Sequence, residues 1–272
     1  MKLQSTRILL TGASGGIGAS LALALARRGA ALALLARDER RLHELAGQVR
    51  ALGVTCVVLP FDLAAAAGHA EIVAQAAAAL GGLDVLINNA GVQCFGTLRD
   101  EDPAAIARLV AINLTSPLLL TRAALEHFHA AGSGHIVNVG STFGAIGYPL
   151  FAAYSASKFA LRGLSEALRR ELSDDGVRVT YVSPRATDTA MNGAAVREMQ
   201  AMTGTRMDAP EKVARAVIDA LECGAPERQL GWPERFFVQL NALLPRFVDR
   251  ALAQQCRLAV SCAHRSRAPG RP

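Results

Sequence analysis

The chain has 272 residues, of which 51% are hydrophobic, and a formal net charge of +6. This composition fits one domain with a sizeable core, and no uninterrupted apolar run approaches the roughly 18 to 20 residues that a membrane span requires. Eight arginines and only three acidic residues follow Pro226, so the charge lies mainly in the tail. We therefore predict no nucleic-acid partner for the body of the chain.

The cysteines and the N-terminus bear on compartment and on metal binding. The five cysteines are scattered, without a Cys-x-x-Cys pair or a metal-like cluster with histidine. They are Cys56, Cys94, Cys223, Cys256 and Cys262. The chain reaches a predicted strand by Ile8 without a signal-type apolar region. We therefore expect reduced thiols, no metal site and a cytoplasmic protein.

The first predicted strand, residues 7–10, runs into a glycine-rich turn and then into an Ala/Leu helix that ends near Arg28. Glycines let the backbone approach a pyrophosphate, and a helix N-terminus offers free N–H groups and a positive dipole end. The turn therefore predicts a dinucleotide phosphate site. Its cofactor-binding residues are Gly12, Ser14, Gly16, Ile17 and Gly18. Gly15 also allows the spacing Gly-x-x-Gly-x-x-Gly.

A second strand is predicted at residues 31–36, and its end is where a dinucleotide fold selects between NAD and NADP. An acidic residue there would bind the ribose 2′-hydroxyl, whereas this chain has Arg37, whose guanidinium can pair with a 2′-phosphate. We predict NADP(H) as the cofactor. NAD(H) is the less favoured alternative, because Asp38 follows directly and Arg37 could simply open a solvated helix.

Strand-like and helix-like segments alternate along the rest of the chain. The predicted helices are 38–52, 64–80, 103–129, 152–173 and 211–223, and the predicted strands are 55–60, 83–87, 134–139, 177–182 and 229–231. Such alternation predicts an α/β fold with a doubly wound Rossmann-type parallel sheet. We expect six to seven strands, with helices on both faces of the sheet.

Three side chains around the fifth strand predict acid–base chemistry. The strand delivers Ser141 at its carboxyl end, and the following helix carries Tyr154 and Lys158. Residues four apart share a helix face, so the phenol and the ammonium can lie side by side. A nearby ammonium lowers the pKa of a phenol and makes it usable as an acid and base near neutrality. The hydroxyl of Ser141 would then hold the substrate oxygen.

Ser141, thirteen residues before Tyr154, and the Tyr-x-x-x-Lys motif resemble the catalytic signature of the short-chain dehydrogenase/reductase family. The tetrapeptide Asn-Asn-Ala-Gly at 88–91 and the glycine spacing at 12, 16 and 18 also match that family. The alternative glycine spacing resembles the longer sugar-nucleotide-modifying branch, which the short chain disfavours. The resemblance implies an NADP(H)-dependent oxidoreductase that interconverts a ketone or aldehyde and an alcohol by hydride transfer.

The resemblance also implies roles for residues that spacing alone does not assign. Asp62 and Leu63 would lie beside the adenine, and Asn113 would kink its helix and hold a water in a proton relay with Lys158. Further cofactor-binding residues would be Asn89, Ala90, Gly91, Tyr154, Lys158, Pro184, Thr187 and Thr189. Two local alternatives stay open: Asp62 as a helix cap and Asn113 as a locally satisfied amide.

The segment after the sixth strand departs from the family pattern at Arg185, where the family usually has glycine. Arg185 could bind an acidic group on the substrate or point to solvent. Residues 190–208 stand in the place of the family's substrate lid. They contain Met191, Met199, Met202 and Met207, which fit a bulky hydrophobic or acyl-type substrate but could equally fill a core.

We predict three parts: a Rossmann domain at 1–231, an amphipathic helical extension at 232–260, and a disordered tail at 261–272. The extension, interrupted at Pro245, could lie on a membrane surface or pack on the lid or on a second subunit. The helices 103–129 and 152–173 are those that the family pairs between subunits, which implies a homodimer or homotetramer.

Two rival functions remain beside a reductase of small-molecule carbonyls. One is a cofactor-binding regulatory or scaffold protein without turnover. The other is a peripheral membrane enzyme that acts on lipid-like ketones.

Overall fold

The computed structural model describes residues 2–253 and 260. The predicted disordered tail at 261–272 lies outside the described residues, as do residues 254–259 of the extension.

The described residues contain one seven-stranded sheet in the order β3-β2-β1-β4-β5-β6-β7, with every neighbouring pair parallel. The strands are β1 (Arg7–Thr11), β2 (Ala31–Ala36), β3 (Cys56–Pro60), β4 (Val85–Asn88), β5 (Gly134–Val139), β6 (Val177–Ser183) and β7 (Glu227–Gln229). The central strands are apolar and buried on both faces, as a parallel sheet covered by helices requires. The strand order reverses between β1 and β4, and ligands bind at the carboxyl ends of the strands at such a point. The predicted fold is confirmed.

Helices connect the strands. They are α1 (Gly16–Ala26), α2 (Glu39–Arg50), α3 (His69–Leu80), α4 (Pro103–Val110), α5 (Ser116–Ala131), α6 (Ala152–Glu171), α7 (Ala194–Met202), α8 (Pro210–Cys223) and α9 (Trp232–Leu243). α3 begins later than predicted because Gly68, just before it, has a left-handed conformation with φ 95°. Residues 245–253 are again helical after the break at Leu244.

Apolar side chains fill both faces of the sheet. α1, α2 and α8 pack on one face, where Leu21, Leu42 and Val217 are fully buried. α3, α5 and α6 pack on the other face, where Val73 and Phe128 are fully buried. This two-sided core fixes the positions of the carboxyl ends of the strands.

α4 and α5 form one continuous helix across a π-helical turn at Ala111–Thr115. By length and composition alone, Pro103–Ala131 could cross a membrane, although no uninterrupted apolar run is that long. About 39% of its most apolar window is buried, including Leu120 and Phe128. This burial is what a core helix of a Rossmann fold requires.

Candidate active site

The glycine-rich turn after β1 leaves space for a bound anion. Gly12 and Gly16 have positive φ angles of 66° and 52°, which favour glycine. A Cβ on Gly12 would come within 2.7 Å of Ala90 Cα, and one on Gly18 would overlap the Gly12 carbonyl oxygen. No side chain of the described residues caps the N-terminus of α1, and its first turn has no acidic residue. Its N–H groups therefore suit a phosphate.

The two possible glycine spacings differ in their physical need for glycine. A Cβ on Gly15 would meet no atom within 4 Å, and Gly15 has an extended backbone with φ −174°. A Cβ on Gly16 would lie 3.0 Å from Thr189 Cγ2. Glycine is thus required at 12, 16 and 18, which is the spacing Gly-x-x-x-Gly-x-Gly. Thr189, predicted to contact the cofactor, lies against this turn.

Arg37 and Asp38 follow the end of β2. The Arg37 side chain is exposed, whereas the Asp38 carboxylate is hydrogen-bonded within α2. Arg37 is exposed and close enough to Asp62 to help lower the pKa of that carboxyl. The Asp38 carboxylate caps α2 by accepting a hydrogen bond of 3.0 Å from Arg41 N, and it pairs with the Arg41 guanidinium at 3.3 Å. Asp38 is therefore engaged with its own helix, whereas Arg37 faces solvent.

Asp62 is held by the protein before any ligand binds. Its carboxylate accepts hydrogen bonds from Ala64 N at 3.0 Å and from Arg108 Nη2 at 3.1 Å. The backbone hydrogen bond from Ala64 is the main cause of its lowered pKa, and Arg108 adds to the effect. Asp62 thus acts as a local cap and as an ion-pair partner, while Leu63 beside it is buried in the core.

The Asn-Asn-Ala-Gly segment ties strand ends together. Asn89 Nδ2 donates to the carbonyl oxygens of Thr11 and Gly12, at 3.0 and 3.3 Å. The N–H groups of Asn89 and Ala90 both donate to the Thr11 hydroxyl at 3.0 Å. The segment therefore fixes the glycine-rich turn through Thr11, a residue that the motif analysis did not single out.

The three predicted catalytic side chains converge on the loop after β5. Ser141 caps a short 3₁₀ turn, with its Oγ accepting from Phe143 N at 3.1 Å, and it hydrogen-bonds to Tyr154. Lys158 Nζ lies 5.8 Å from the Tyr154 ring centroid and donates to the Val139 carbonyl oxygen at 3.0 Å. Tyr154 and Lys158 are both buried. The trio can therefore meet a substrate oxygen above Ser141.

The electrostatics of the trio differ from the prediction. Burial raises the pKa of Tyr154, and the hydrogen bond with Ser141 only partly opposes this. The prediction that Lys158 lowers the pKa of this phenol is wrong for the protein alone, because removal from water is the dominant effect. Burial also lowers the pKa of Lys158 to about 8. The phenol is therefore protonated at neutral pH and suited to act as an acid.

Asn113 lies in the π-helical turn and is fully buried. Its Oδ1 accepts from Val92 N at 2.9 Å, while its Nδ2 donates to Val92 O at 2.8 Å and to Ser157 Oγ at 3.1 Å. A Cβ on Gly91 would lie 3.4 Å from Asn113 Oδ1 and 3.6 Å from Lys158 Nζ. The amide thus fixes the loop after β4 close to the ammonium, and the helix is locally widened into a π-helical turn here.

Aromatic side chains lie close to Tyr154. Phe143 stacks on Tyr148 with ring centroids 4.7 Å apart, and its edge faces Tyr154 at 6.3 Å. Phe151 lies 5.2 Å from Phe143 and 6.4 Å from Tyr154. These rings belong to an apolar cluster that also includes Phe95. The surroundings of the Tyr154 side chain are therefore apolar.

Residues 190–208, the predicted lid, contact the loops after β4 and β6. Gln93 Nε2, after β4, donates to the Met191 carbonyl oxygen at 2.9 Å. Of the lid methionines, Met199 is buried in the aromatic cluster and fills core, whereas Met191 and Met202 are exposed. Asn192 Nδ2 donates to Thr187 O at 2.7 Å. The backbone carbonyl of Thr187, which is predicted to bind the cofactor, therefore already accepts a hydrogen bond from residues 190–208.

Arg185 serves neither of its predicted purposes. Its Nε and Nη2 donate to the two carboxylate oxygens of Asp208 at 2.9 and 2.7 Å, and its Nη1 lies 3.4 Å from Glu234 Oε1. Its side chain is only 19% exposed and that of Asp208 only 4%. Both the substrate-binding and the solvent interpretations are wrong, because two carboxylates far along the chain take up the guanidinium.

Tyr181 supports the Ser141 loop, and the sequence analysis missed it. The buried Tyr181 hydroxyl lies 3.4 Å from Ser141 N and 3.5 Å from Ser141 O. A Cβ on Gly140 or on Gly144 would overlap this ring or its hydroxyl. Gly140 and Gly144, on either side of Ser141 in the sequence, could have indicated that a bulky side chain packs against this loop. The neighbouring Pro184 carbonyl oxygen accepts from Thr142 N at 2.9 Å, which joins β6 to the same loop.

The chain resembles known proteins over most of its length. Residues 6–200 match the family model described as short chain dehydrogenase. The chain is 34% identical to the ketoacyl reductase HetN of Nostoc sp. over 221 residues, covering 81% of this chain and 76% of that protein. It is 33% identical to 2-(S)-hydroxypropyl-CoM dehydrogenase 3 of Xanthobacter autotrophicus over 228 residues, covering 80% and 89%.

A solved structure shares the fold over most of the chain. A short chain dehydrogenase from Burkholderia cenocepacia J2315 in complex with NADP superimposes with a TM-score of 0.77 at 30% identity. The match covers 85% of this chain and 98% of that one. The protein is therefore an oxidoreductase that belongs to the short chain dehydrogenase family.

Proposed function

We propose that the protein is an NADP(H)-dependent reductase of a carbonyl group attached to a bulky apolar or acyl-type substituent. The observation that carries the proposal is the convergence of Ser141, Tyr154 and Lys158 beneath a ring of aromatic side chains. The opposite direction, oxidation of the corresponding alcohol, uses the same groups.

The chain's own groups divide the reaction between them. The bound nicotinamide cofactor supplies or accepts the hydride. Tyr154, kept protonated by burial, donates a proton to the substrate oxygen while the Ser141 hydroxyl holds that oxygen. Lys158 orients the cofactor ribose and returns a proton to the phenol. Asn113, in the π-helical turn close to this ammonium, would hold a water that relays the proton from solvent.

Preference for NADP(H) over NAD(H) rests on the end of β2. Arg37 is exposed there and free to pair with a 2′-phosphate, whereas Asp38 is already engaged as the cap of α2. The related Burkholderia protein was solved in complex with NADP, which supports the same preference.

The substrate class rests on the apolar surroundings of Tyr154. Phe143, Tyr148 and Phe151 place three rings near the phenol, and they favour a hydrophobic group next to the reacting carbonyl. The relative HetN is named a ketoacyl reductase, which is consistent with an acyl-type carbonyl.

Two further proposals concern assembly and compartment. α5 and α6 expose the apolar side chains of Leu118, Leu119 and Phe159, which supports pairing of these helices in a homodimer or homotetramer. The described cysteines, Cys56, Cys94 and Cys223, are free thiols, as a reducing cytoplasm would leave them.

Replacement of Tyr154 by Phe tests the proposed acid. The change keeps the buried ring but removes the proton donor, so we expect kcat for NADPH oxidation to fall by at least ~10²- to 10⁴-fold. The measurement follows NADPH absorbance with a panel from short ketones to long-chain β-keto acyl compounds. NADPH binding, followed by fluorescence, should remain.

The matched control is Tyr148→Phe, which keeps the stacked ring and removes a nearby phenol hydroxyl to which we assign no proton transfer. We expect this variant to retain kcat within about tenfold of the wild type. Unchanged turnover in Tyr154→Phe would disprove the assignment. NADPH binding by the wild type without oxidation by any panel member would instead favour a regulatory or scaffold protein.

Replacement of Arg37 by Asp tests the cofactor preference. We expect kcat/KM for NADPH to fall by at least about tenfold, because a carboxylate repels the 2′-phosphate, while kcat/KM for NADH stays equal or rises. Arg40→Asp, an exposed substitution three residues later in α2, is the control. Equal preference for the two cofactors in both the wild type and Arg37→Asp would contradict the proposal.

A further inference from the structure

The C-terminal extension exposes an unusually apolar surface. Six large apolar side chains within sixteen residues of chain are between 46% and 78% exposed. They are Trp232, Phe236, Phe237, Leu243, Leu244 and Phe247, and we call them the apolar face. No residue of α9 is buried. Ring contacts join Trp232 to Phe236 and Phe236 to Phe237, and large exposed apolar patches mark interaction sites.

Basic side chains flank the apolar face. Arg235, Arg246 and Arg250 are exposed, and in the part of the chain that the structure describes none of them lies within ion-pair distance of a carboxylate. The two acidic residues of this segment are Glu234, which faces Arg185, and Asp249. The apolar face therefore lies beside arginines whose positive charge no described carboxylate pairs with.

The extension is fixed to the domain from its opposite side. Asn241 Nδ2 donates to the Ala145 carbonyl oxygen at 2.9 Å, in the loop that follows Ser141. Glu234 faces Arg185 at 3.4 Å, and Val248 is buried. These contacts hold α9 beside the rim of the catalytic loop and leave the apolar face turned outward.

Within residues 2–253, no other segment covers this face. Beyond residue 253, Leu258 and Val260 are the only large apolar residues in the sequence. Val260 packs instead against the cluster that contains Tyr154 and Met199. A second copy is also a poor occupant, because a two-fold contact would set the same arginines against each other.

We propose that the apolar face docks the protein on an anionic lipid surface. Trp, Phe and Leu side chains enter the boundary between head groups and acyl chains, and arginines beside them are attracted to anionic head groups. Docking through this face would bring the loop after Ser141, which contacts the other side of α9, within about one helix diameter (~10 Å) of the lipid, where a hydrophobic carbonyl compound would be concentrated. That last step rests on the proposed function, whereas lipid binding does not.

Flotation of the full-length protein with vesicles tests the docking. Vesicles of phosphatidylcholine alone are compared with vesicles that also contain phosphatidylserine. We expect binding to the anionic vesicles, and at least about tenfold weaker binding in Phe236→Ser/Phe237→Ser and in Arg235→Glu/Arg246→Glu. Leu52→Ser, which alters an exposed apolar residue after α2, is the control and should bind like the wild type.

NADPH oxidation with a water-soluble carbonyl compound, measured in the same variants, separates this proposal from the proposed function. Activity should stay unchanged, since the substituted side chains are exposed. Absence of wild-type binding to either vesicle would overturn the proposal. So would binding that the phenylalanine variant retains in full, because the basic tail alone would then explain it. Loss of dimers in the phenylalanine variant, or binding of single-stranded RNA without vesicle binding, would also overturn it by identifying a different occupant.

Discussion

At the scale of single residues, the least ordinary group is the Lys158 ammonium. It is buried, and the hydrogen bond described for it goes to the Val139 carbonyl oxygen. A buried ammonium without a carboxylate partner loses its proton more easily than in water, and burial lowers its pKa to about 8. Tyr154 titrates in the opposite direction, because burial raises its pKa.

These two shifts predict the alkaline limb of activity. As pH rises through about 8, Lys158 loses the charge that we propose orients the cofactor, while Tyr154 stays protonated. We expect kcat/KM for NADPH, which reports the free enzyme, to fall above about pH 8. Lys212→Ala, which removes a half-exposed lysine, is the control and should show the same fall in kcat/KM above about pH 8. A profile that stays flat to pH 10 would contradict a required ammonium.

At the scale of elements, one ionic cluster joins the lid, the end of β6 and the extension. Asp208 closes the base of the lid, since Asp188 N donates to Asp208 O at 2.9 Å and Asp208 N donates to Ala186 O at 2.8 Å. Its carboxylate accepts two hydrogen bonds from the Arg185 guanidinium and one, at 2.8 Å, from the Lys212 ammonium. Arg185 also faces Glu234 in the first turn of α9.

Arg185→Ala should therefore loosen two elements at once. We expect a loss of about 2 kcal/mol of stability, or ~4 to 8 °C in Tm, because Asp208 loses a bidentate partner at a nearly buried site. A freer lid should raise KM for the carbonyl substrate more than it lowers kcat. Arg185→Lys should recover part of the loss.

The control for this prediction is Arg40→Ala, which removes an exposed ion pair with Glu44 and should cost less than about 1 kcal/mol. Thermal unfolding followed by circular dichroism measures both variants. An equal, small Tm shift in Arg185→Ala and Arg40→Ala would mean that the cluster around Asp208 does not secure the lid.

At the scale of the whole molecule, polar groups cross the buried layers around β5. Asn88 Nδ2 donates to Asn138 Oδ1 at 2.9 Å, and Asn138 Nδ2 donates to Ser165 Oγ at 2.9 Å. At the other end of β5, the buried His135 Nε2 lies 2.8 Å from Thr180 Oγ1. Burial is the main cause that lowers the pKa of His135 to about 4.

His135 predicts how the fold responds to acid. Its folded-state pKa of about 4 is below the ordinary value of 6.5, so the unfolded chain binds the proton first. Its contribution is complete above pH 6.5 and is lost as pH falls towards 4. We expect urea unfolding to show about 2 kcal/mol less stability at pH 5 than at pH 7.

His135→Gln should remove most of this difference, because glutamine does not titrate. Asp208 does not contribute in this window: its pKa is lowered to about 2 by Arg185, so its contribution is lost only as pH falls below its ordinary 3.8. A pH 5 loss that is the same in His135→Gln and in the wild type would show that other groups govern acid stability.

The sequence by itself determined the features that depend on local spacing. Alternating strands and helices predicted the parallel sheet, the glycines at 12, 16 and 18 predicted the tight turn after β1, and the Tyr-x-x-x-Lys spacing predicted a shared helix face. Each of these follows from periodicity or from backbone conformation within a few residues.

Only the tertiary structure decided the features that depend on burial and on distant partners. The raised pKa of Tyr154 comes from the surrounding core, and Arg185 found its partners 23 and 49 residues away. The support of Ser141 by Tyr181 spans 40 residues. Desolvation and ion pairing depend on which residues come into contact in the folded protein, and local sequence patterns do not specify contacts between residues far apart in the chain.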